Sequence, residues 1–326
     1  MDVNGDQLSF VSLRQRDGLK RFFVQNHVMN ATLKIIVTST FILFRPLMAD
    51  ERTWTSSDAR EIKAELVSYD VKTATIIIKN KSGQFTLPFV KLSQEDQTFI
   101  RELAEKEEEE RGVAKRVSAE RAGTTNKEVT EAGNSYHVYY PTSYSVAKKP
   151  SLLILFSPSG GGSGILKNFR QGADALGWVL VGCDKLKNGM SDEEGSEIFT
   201  DLLASIEKRV DHDPNLLCMG GMSGGGLRAY LNSVTFERPW KGIISCGGWL
   251  GGSENHGLEY PKKMAIAIVN GDGDKAANSH VAGDTQVLER RRCKVEYITF
   301  PGGHVTGPPE IIEEAMKWVE ENSQKK

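Results

Sequence analysis

A glycine-flanked serine lies in the sequence Gly-Met-Ser-Gly-Gly at residues 221–225, directly after the apolar run 216–219 and before a helical pattern. A sharp turn from strand to helix strains the backbone of its central residue and leaves no room for Cβ atoms on either side. Ser223 Oγ would then stand exposed above the edge of a sheet, in the arrangement called a nucleophile elbow. The N–H of Gly224 would face the place where negative charge develops during acyl transfer. The alternative is a glycine-rich loop with a bystander serine.

A serine hydroxyl becomes a useful nucleophile when a histidine takes its proton and a carboxylate orients that histidine. The chain supplies both groups after the serine. An apolar run at 264–269 leads into Asn-Gly-Asp-Gly-Asp, which places Asp272 and Asp274 after a predicted strand. A second run at 294–300 ends in Pro-Gly-Gly-His, which places His304 after the next predicted strand. We therefore expect His304 as the base, with one of the two aspartates as its partner.

His304 is selected because it alone follows a late strand and lies between Gly-Gly and a predicted final helix at 309–322. The other histidines are expected to be solvated or locally hydrogen-bonded side chains. They are His27, His137, His212, His256 and His280.

The order serine, aspartate, histidine, each at the carboxyl end of a separate strand, is that of the α/β-hydrolases, and the chain resembles this family. Family members commonly carry a Gly-x-x-Asp turn after the strand that bears the acid, which matches Gly271 to Asp274. The resemblance implies a catalytic triad of Ser223, Asp274 and His304. Asp272 would then be a turn residue that accepts bonds from nearby backbone N–H groups.

A glycine-rich segment at 157–164, Ser-Pro-Ser-Gly-Gly-Gly-Ser-Gly, follows the strongly apolar run 152–156. It resembles the His-Gly-Gly-Gly stretch of esterases, with Ser159 where histidine is usual. The resemblance implies an oxyanion hole formed by backbone N–H groups of Gly224 and of Gly160 or Gly161. A phosphate-binding loop is the disfavoured alternative, because the segment lacks both a Gly-Lys-Ser/Thr ending and Gly-x-Gly-x-x-Gly spacing.

Short apolar strands alternate with amphipathic helices from residue 136 to 322, which predicts a parallel sheet covered on both faces. This α/β region resembles a small secreted α/β-hydrolase of the esterase kind, close to the polyhydroxyalkanoate-depolymerase, feruloyl-esterase and dienelactone-hydrolase groups. The predicted strands are 136–140, 152–156, 178–182, 216–220, 242–246, 264–269 and 295–300.

The first 49 residues are interpreted as a leader. Residues 29–34 include the basic Lys34, 35–44 are largely apolar and 46–49 end in a small residue, as in a signal peptide. We expect synthesis to start at Met29, cleavage to follow Ala49, and the protein to be exported to the periplasm or outside the cell. The apolar run is short for a membrane span and no cysteine lies directly after it, so no stable membrane anchor is expected.

Residues 50–103 form a second predicted unit, a meander of short strands closed by a short helix at 92–97. Its Arg-x-Trp opening and Lys-Leu-Ser-x-Glu-Asp-Gln ending resemble the Sla-homology module, a small all-β SH3-like barrel. The resemblance implies an unidentified peptide or protein ligand. Trp54 is favoured as a core residue over a binding platform.

The stretch 104–134 separates the two predicted domains. Its first part is dense in Glu, Lys and Arg and predicts a solvated helix, and 122–134 is polar and predicts a flexible linker. The α/β-hydrolase domain would then cover 135–326.

Composition excludes some functions. A formal net charge of −2 over 326 residues provides no electrostatic surface for nucleic acid. Neither Cys-x-x-Cys nor His-x-x-x-His occurs, so neither a metal nor another cofactor is expected. Four cysteines lie in or beside core strands, where a free thiol behaves as a small apolar group, and their disulfide state stays open. They are Cys183, Cys218, Cys246 and Cys293.

The function predicted from these patterns is a serine carboxylesterase for short-acyl esters, with a substrate that a polymer could carry. A catalytically silent hydrolase-fold binding protein is one alternative. A serine peptidase on the same fold is another, disfavoured because the sequence has no propeller or other large gating domain.

Overall fold

A computed structural model of the chain describes residues 51–70 and 74–323. The predicted signal peptide, the start at Met29 and the cleavage after Ala49 lie outside the described residues. Within those two ranges, no helix is both long enough and apolar enough to cross a membrane.

A small antiparallel sheet begins the described chain. Its strands are β1 (Arg52–Thr55), β2 (Glu61–Asp70), β3 (Thr75–Asn80) and β4 (Gly83–Pro88), hydrogen-bonded in that order. Asn80 pairs with Gly83, so a two-residue hairpin turn joins β3 to β4. The structure therefore shows a four-stranded open meander here, and the SH3-like barrel stays a prediction.

Trp54 lies in the core of this small sheet, as predicted. Its side chain is buried, and its Nε1–H donates to the Ala64 carbonyl at 3.0 Å. The Arg52 guanidinium lies over the Trp54 ring at 4.7 Å and pairs with the buried Asp96 carboxylate at 2.6 Å. Trp54 thus has a hydrogen-bond partner inside the sheet, and its apolar face is packed.

One helix, α1 (Gln94–Arg121), replaces the short helix and the separate charged helix expected from the sequence. The Ser93 hydroxyl accepts from the Asp96 N–H at 3.2 Å and caps the helix start. No glycine or proline interrupts the chain between residues 94 and 111, so the helix continues. The domain boundary predicted at 103/104 therefore falls inside α1.

The interpretation of 122–134 as a flexible linker is wrong over β5 (Thr125–Val129). This strand pairs antiparallel with β6 (Ser135–Tyr139) at the edge of the large sheet. Its sequence, Thr-Asn-Lys-Glu-Val, is mostly polar, which suits an edge strand whose side chains meet water. β5 is ordered because the backbone N–H and C=O groups of β6 need hydrogen-bond partners, which β5 supplies.

The large sheet has eight strands in the order β12-β11-β10-β9-β7-β8-β6-β5. Strands β7 to β12 run parallel to one another, whereas β6 pairs antiparallel with both β8 and β5. The predicted α/β class is confirmed, since every strand expected from the apolar runs is present within a few residues. The parallel strands are β7 (Leu152–Phe156), β8 (Val179–Cys183), β9 (Leu217–Met222), β10 (Trp240–Cys246), β11 (Ala265–Gly271) and β12 (Lys294–Phe300).

Helices cover both faces of this sheet. Apolar side chains of α2 and α7 pack with one face, and those of α3, α4 and α6 pack with the other, while α5 is a single turn after β11. Every residue of β7 is buried, as expected for a parallel strand between two helical layers. The helices are α2 (Gly162–Leu176), α3 (Asp192–Arg209), α4 (Gly224–Thr235), α5 (Lys275–Asn278), α6 (Val281–Arg290) and α7 (Pro309–Ser323).

The four cysteines are buried and none forms a disulfide. Burial raises the pKa of the Cys218 thiol and of the Cys246 thiol to about 12. A buried thiol that resists ionisation is a poor nucleophile and metal ligand, so these residues act as small apolar groups of the core.

Candidate active site

The turn between β9 and α4 holds Ser223 in a strained conformation. Its φ is 54° and its ψ is −122°, which is rare for a residue with a Cβ and costs about 1–3 kcal/mol. Three hydrogen bonds fix this backbone. The Ser223 N–H donates to the Cys246 carbonyl at 2.8 Å, and the Ser223 carbonyl accepts from the Gly226 and Leu227 N–H groups at 2.9 and 3.1 Å. The strain is therefore maintained by β10 on one side and by α4 on the other.

Glycines flank the turn because the end of β7 passes against it. A Cβ at Gly221 would overlap the carbonyl oxygen of Phe156, and one at Gly225 would overlap the same carbonyl, with the Phe156 carbon at 2.6 Å. A side chain at Gly221 would separate β7 from β9, and one at Gly225 would separate β7 from α4, so the predicted elbow geometry would be lost.

Ser223, His304 and Asp274 lie together at the carboxyl edge of the sheet. Ser223 Oγ is 2.8 Å from His304 Nε2, and His304 Nδ1 is 2.7 Å from Asp274 Oδ2. The Asp274 side chain is only 3% exposed, whereas that of His304 is 43% exposed. Asp274 Oδ1 also accepts from the Ala277 N–H at 3.2 Å, which fixes the carboxylate at the start of α5.

Asp272 lies beside this group but does not contact His304. Its Oδ1 accepts the Gly302 N–H at 3.0 Å, so it ties the turn after β11 to the loop that carries His304. The structure therefore brings Asp274 to the histidine, and gives Asp272 the backbone-accepting contact expected of a turn residue.

Among the other histidines, each that the structure describes has a partner elsewhere. His137 Nε2 lies 3.6 Å from Asp184 Oδ2, and His212 Nδ1 lies 2.7 Å from the Val210 carbonyl oxygen. His256 Nε2 is 3.0 Å from a buried carboxylate oxygen of α6, and the His280 ring stacks on an indole at 5.0 Å. These contacts agree with locally satisfied side chains. His27 lies outside the described ranges.

The overall fold can be compared with solved structures. The feruloyl esterase module from Clostridium thermocellum, a mutant complexed with sinapinate, gives a TM-score of 0.50 at 14% identity, over 63% of this chain and 91% of that chain. The fold is that of the α/β-hydrolases. A shared α/β-hydrolase fold does not by itself assign an activity, which has to be argued from the site.

Two further solved structures are similar to the chain. The Bacillus cereus carboxylesterase gives a TM-score of 0.47 at 18% identity, over 59% of this chain and 96% of that chain. The S-formylglutathione hydrolase from Agrobacterium tumefaciens gives a TM-score of 0.46 at 14% identity, over 61% of this chain and 94% of that chain. No protein-family model matches the chain, and no curated protein matches it.

Two of the N–H groups predicted as oxyanion donors already have acceptors within the described chain. The Gly160 N–H donates to the Ser157 carbonyl at 3.2 Å, and the Gly161 N–H donates to the Asp184 carbonyl at 2.9 Å. This corrects the expectation that Gly160 or Gly161 supplies an oxyanion donor. The sequence could not reveal that these N–H groups are occupied, because the carbonyl that accepts from Gly161 belongs to the loop after β8.

Two backbone N–H groups, one at the elbow and one in the glycine-rich loop, have no such bond within residues 51–70 and 74–323. They belong to Gly224, at the first position of α4, and to Ser159, on the loop after β7. Gly224 stays a candidate oxyanion donor, and the Ser159 N–H is likewise unoccupied within the described residues.

In the part of the chain that the structure describes, no group of three or more His, Cys, Asp or Glu side chains could hold a metal ion. The chemistry available at Ser223 is that of the serine, the histidine, the carboxylate and nearby N–H donors.

Proposed function

We propose that this chain is a serine hydrolase that cleaves carboxylic esters through an acyl-enzyme on Ser223. The observation that carries the proposal is the hydrogen-bonded line from Ser223 Oγ through the His304 ring to the buried Asp274 carboxylate, at 2.8 and 2.7 Å. A base within hydrogen-bond distance of the nucleophile, oriented by a third group, is the arrangement that activates a hydroxyl. The α/β-hydrolase fold shared with a feruloyl esterase module supports esters as the substrate class.

In this proposal, Ser223 Oγ attacks the ester carbonyl carbon while His304 Nε2 takes its proton. The carbonyl π-electrons move to the oxygen, which N–H donors stabilise as an oxyanion. The tetrahedral intermediate collapses, the C–O bond to the alcohol breaks, and His304 returns the proton to the departing alcohol. Water then repeats these steps on the acyl-serine and releases the acid. Asp274 holds the His304 Nδ1–H and stabilises the positive charge that the ring gains.

The open position of the site supports short acyl groups on a bulky or polymeric alcohol. The His304 side chain is 43% exposed, so water reaches the reacting groups. The segment 247–263 after β10 contains one short 3-10 turn, Ser253–Asn255, as its only helical element among the described residues. A short segment of this kind gives little apolar surface to bury a long acyl chain.

An acyl-chain series tests this substrate class. With p-nitrophenyl esters we expect kcat/KM to peak at an acyl length of about two to four carbons, because an open site buries no further CH₂ groups. In an apolar channel, each additional buried CH₂ would add about 0.8 kcal/mol of binding. Initial rates measured below KM for esters of increasing chain length give the profile. A steady rise to long acyl chains would contradict the short-acyl proposal and indicate an apolar channel.

The proposed reaction is tested by ester turnover together with labelling of the nucleophile. We expect the chain to hydrolyse p-nitrophenyl acetate and to lose that activity when a fluorophosphonate modifies Ser223, located by peptide mass spectrometry. Neither turnover nor labelling would favour the silent binding protein. Labelling with turnover of peptides rather than esters would favour the peptidase.

The proposal also covers where the enzyme acts. We propose an exported protein in which residues 50–103 serve as an SH3-like docking unit and the following domain acts on esters carried by an extracellular polymer. Sequencing the N-terminus of the mature protein should find residue 50 first. Retention of residues 1–49 would contradict export by this signal.

A further inference from the structure

The loop at 184–191, between β8 and α3, brings an asparagine side chain to the start of α4. A Cβ at Gly224 would overlap Oδ1 of Asn188 and would lie 2.7 Å from its Nδ2. The Asn188 amide group therefore lies in contact with the Cα of the residue directly after Ser223. This is the residue whose N–H is the candidate oxyanion donor at the nucleophile elbow.

Two hydrogen bonds fix the backbone of this loop from opposite sides. The Asn188 N–H donates to the Pro158 carbonyl at 2.8 Å, which joins the loop to the segment that carries Ser159. The Arg228 guanidinium, on α4, donates to the Lys187 carbonyl at 3.3 Å. The backbone at Asn188 is thus held by the loop after β7 and by α4, which places the side chain beside the start of α4.

The Asn188 amide has hydrogen-bonding capacity that the described chain does not use. The side chain is exposed, and no contact within residues 51–70 and 74–323 uses its amide as a donor. An asparagine amide carries two N–H donors. A neutral amide beside the Cα of Gly224, once turned so that Nδ2 faces the ligand, is suited to an oxygen that becomes negative during the reaction.

We propose that the Asn188 side chain donates a hydrogen bond to the oxyanion of the tetrahedral intermediate, beside the N–H of Gly224. This inference rests on the proposed function, because the oxyanion exists only if Ser223 attacks a carbonyl. It also explains the glycine at 224, since any larger residue would displace the amide. It fills the place left by Gly160 and Gly161, whose N–H groups are bonded within the chain.

The first test is N188A with K187A as its matched control. Lys187 is an exposed neighbour on the same loop whose backbone carbonyl, unaffected by the substitution, accepts the Arg228 bond. With p-nitrophenyl acetate we expect kcat of N188A to fall by about a hundredfold with little change in KM, as when one oxyanion donor is removed. K187A should match the wild-type chain, and N188D, which keeps the shape but lacks the donors, should fall at least as far as N188A.

A second measurement separates an oxyanion contact from a structural role. Phenylboronic acid forms a tetrahedral adduct on a catalytic serine, so its affinity should fall in N188A by about the same factor as kcat/KM. The melting temperature should be unchanged, because the side chain is exposed. Loss of kcat with unchanged boronate affinity would overturn the inference.

A double-mutant cycle between positions 188 and 224 tests the contact itself. G224A should lower kcat in the wild-type background, because the new methyl displaces the Asn188 amide, and should cost little more in the N188A background. Additive losses would overturn the inference. If the wild-type chain hydrolyses no ester, the proposed function fails and the inference with it, whereas active wild-type with equally active N188A overturns the inference alone.

Discussion

Ser223→Ala is expected to lower kcat by about a thousandfold or more while leaving the fold intact, because the three groups of a catalytic triad act as a unit. The removed Oγ is the atom that His304 Nε2 contacts at 2.8 Å, and it donates to no other described group. His304→Ala should cost a similar factor. Turnover of p-nitrophenyl acetate gives the rates, and circular dichroism with a melting curve shows that the chain is folded.

Ser279→Ala provides the matched control for this substitution. Ser279 is an exposed serine at the end of α5, and its hydroxyl donates to the Ala276 carbonyl at 2.7 Å. This variant should keep the wild-type rate. The double variant at 223 and 304 should be hardly slower than either single one, since each alone already abolishes the proton transfer. A Ser223→Ala variant with an unchanged rate would refute the proposed nucleophile.

Asp274→Asn is expected to lower kcat by about ten-thousandfold, the loss seen when the aspartate of a serine triad becomes asparagine. The substituted amide would present an N–H to His304 Nδ1 in place of an acceptor at 2.7 Å. The ring would then hold its proton on Nε2, where it could not accept from Ser223. Ester turnover of the folded variant measures the effect, and the fold is checked as for Ser223→Ala.

Asp272→Asn is the comparison that decides between the two carboxylates. Its Oδ1 accepts the Gly302 N–H at 3.0 Å, and an asparagine oxygen can accept the same bond. We therefore expect a rate within a few-fold of wild type. If Asp272→Asn removed the activity and Asp274→Asn kept it, the carboxylate assignment would be wrong, although the nucleophile and base could still be correct.

The triad candidates were predictable because each follows an apolar strand and the carboxyl ends of parallel strands meet at one edge. The strands themselves were found from uninterrupted apolar runs, such as the fully buried β7. The preference for Asp274 over Asp272 needed the family pattern as well, because both carboxylates follow the same strand.

The features that sequence reasoning missed depend on contacts between distant segments. Strand β5 lacks the alternation of apolar residues, and its order comes from backbone bonds to β6. The N–H of Gly161 is occupied by a carbonyl in the loop after β8, and that loop also carries Asn188 to Gly224. A glycine-rich motif indicates that backbone can approach a ligand, but does not indicate which N–H groups remain free.

The prediction of two helices in place of the single helix α1 was wrong for a different reason. Residues 94–111 contain neither glycine nor proline, so the sequence offered no reason to divide the helix. The prediction divided the helix where the composition changes from mixed to highly charged. Such a change alters how exposed a helix is, but it does not end the helix.

The pairing of β5 with β6 also determines where the α/β-hydrolase part can be cut from the rest of the chain. A recombinant fragment starting at residue 135, the boundary that composition suggests, would begin at the first residue of β6 and lack β5 entirely. The row of N–H and C=O groups on Ser135–Tyr139 would then face solvent, and such a bare edge recruits strands from other molecules. Expression of the isolated α/β-hydrolase fragment as a monomer therefore requires that the cut lie before Thr125.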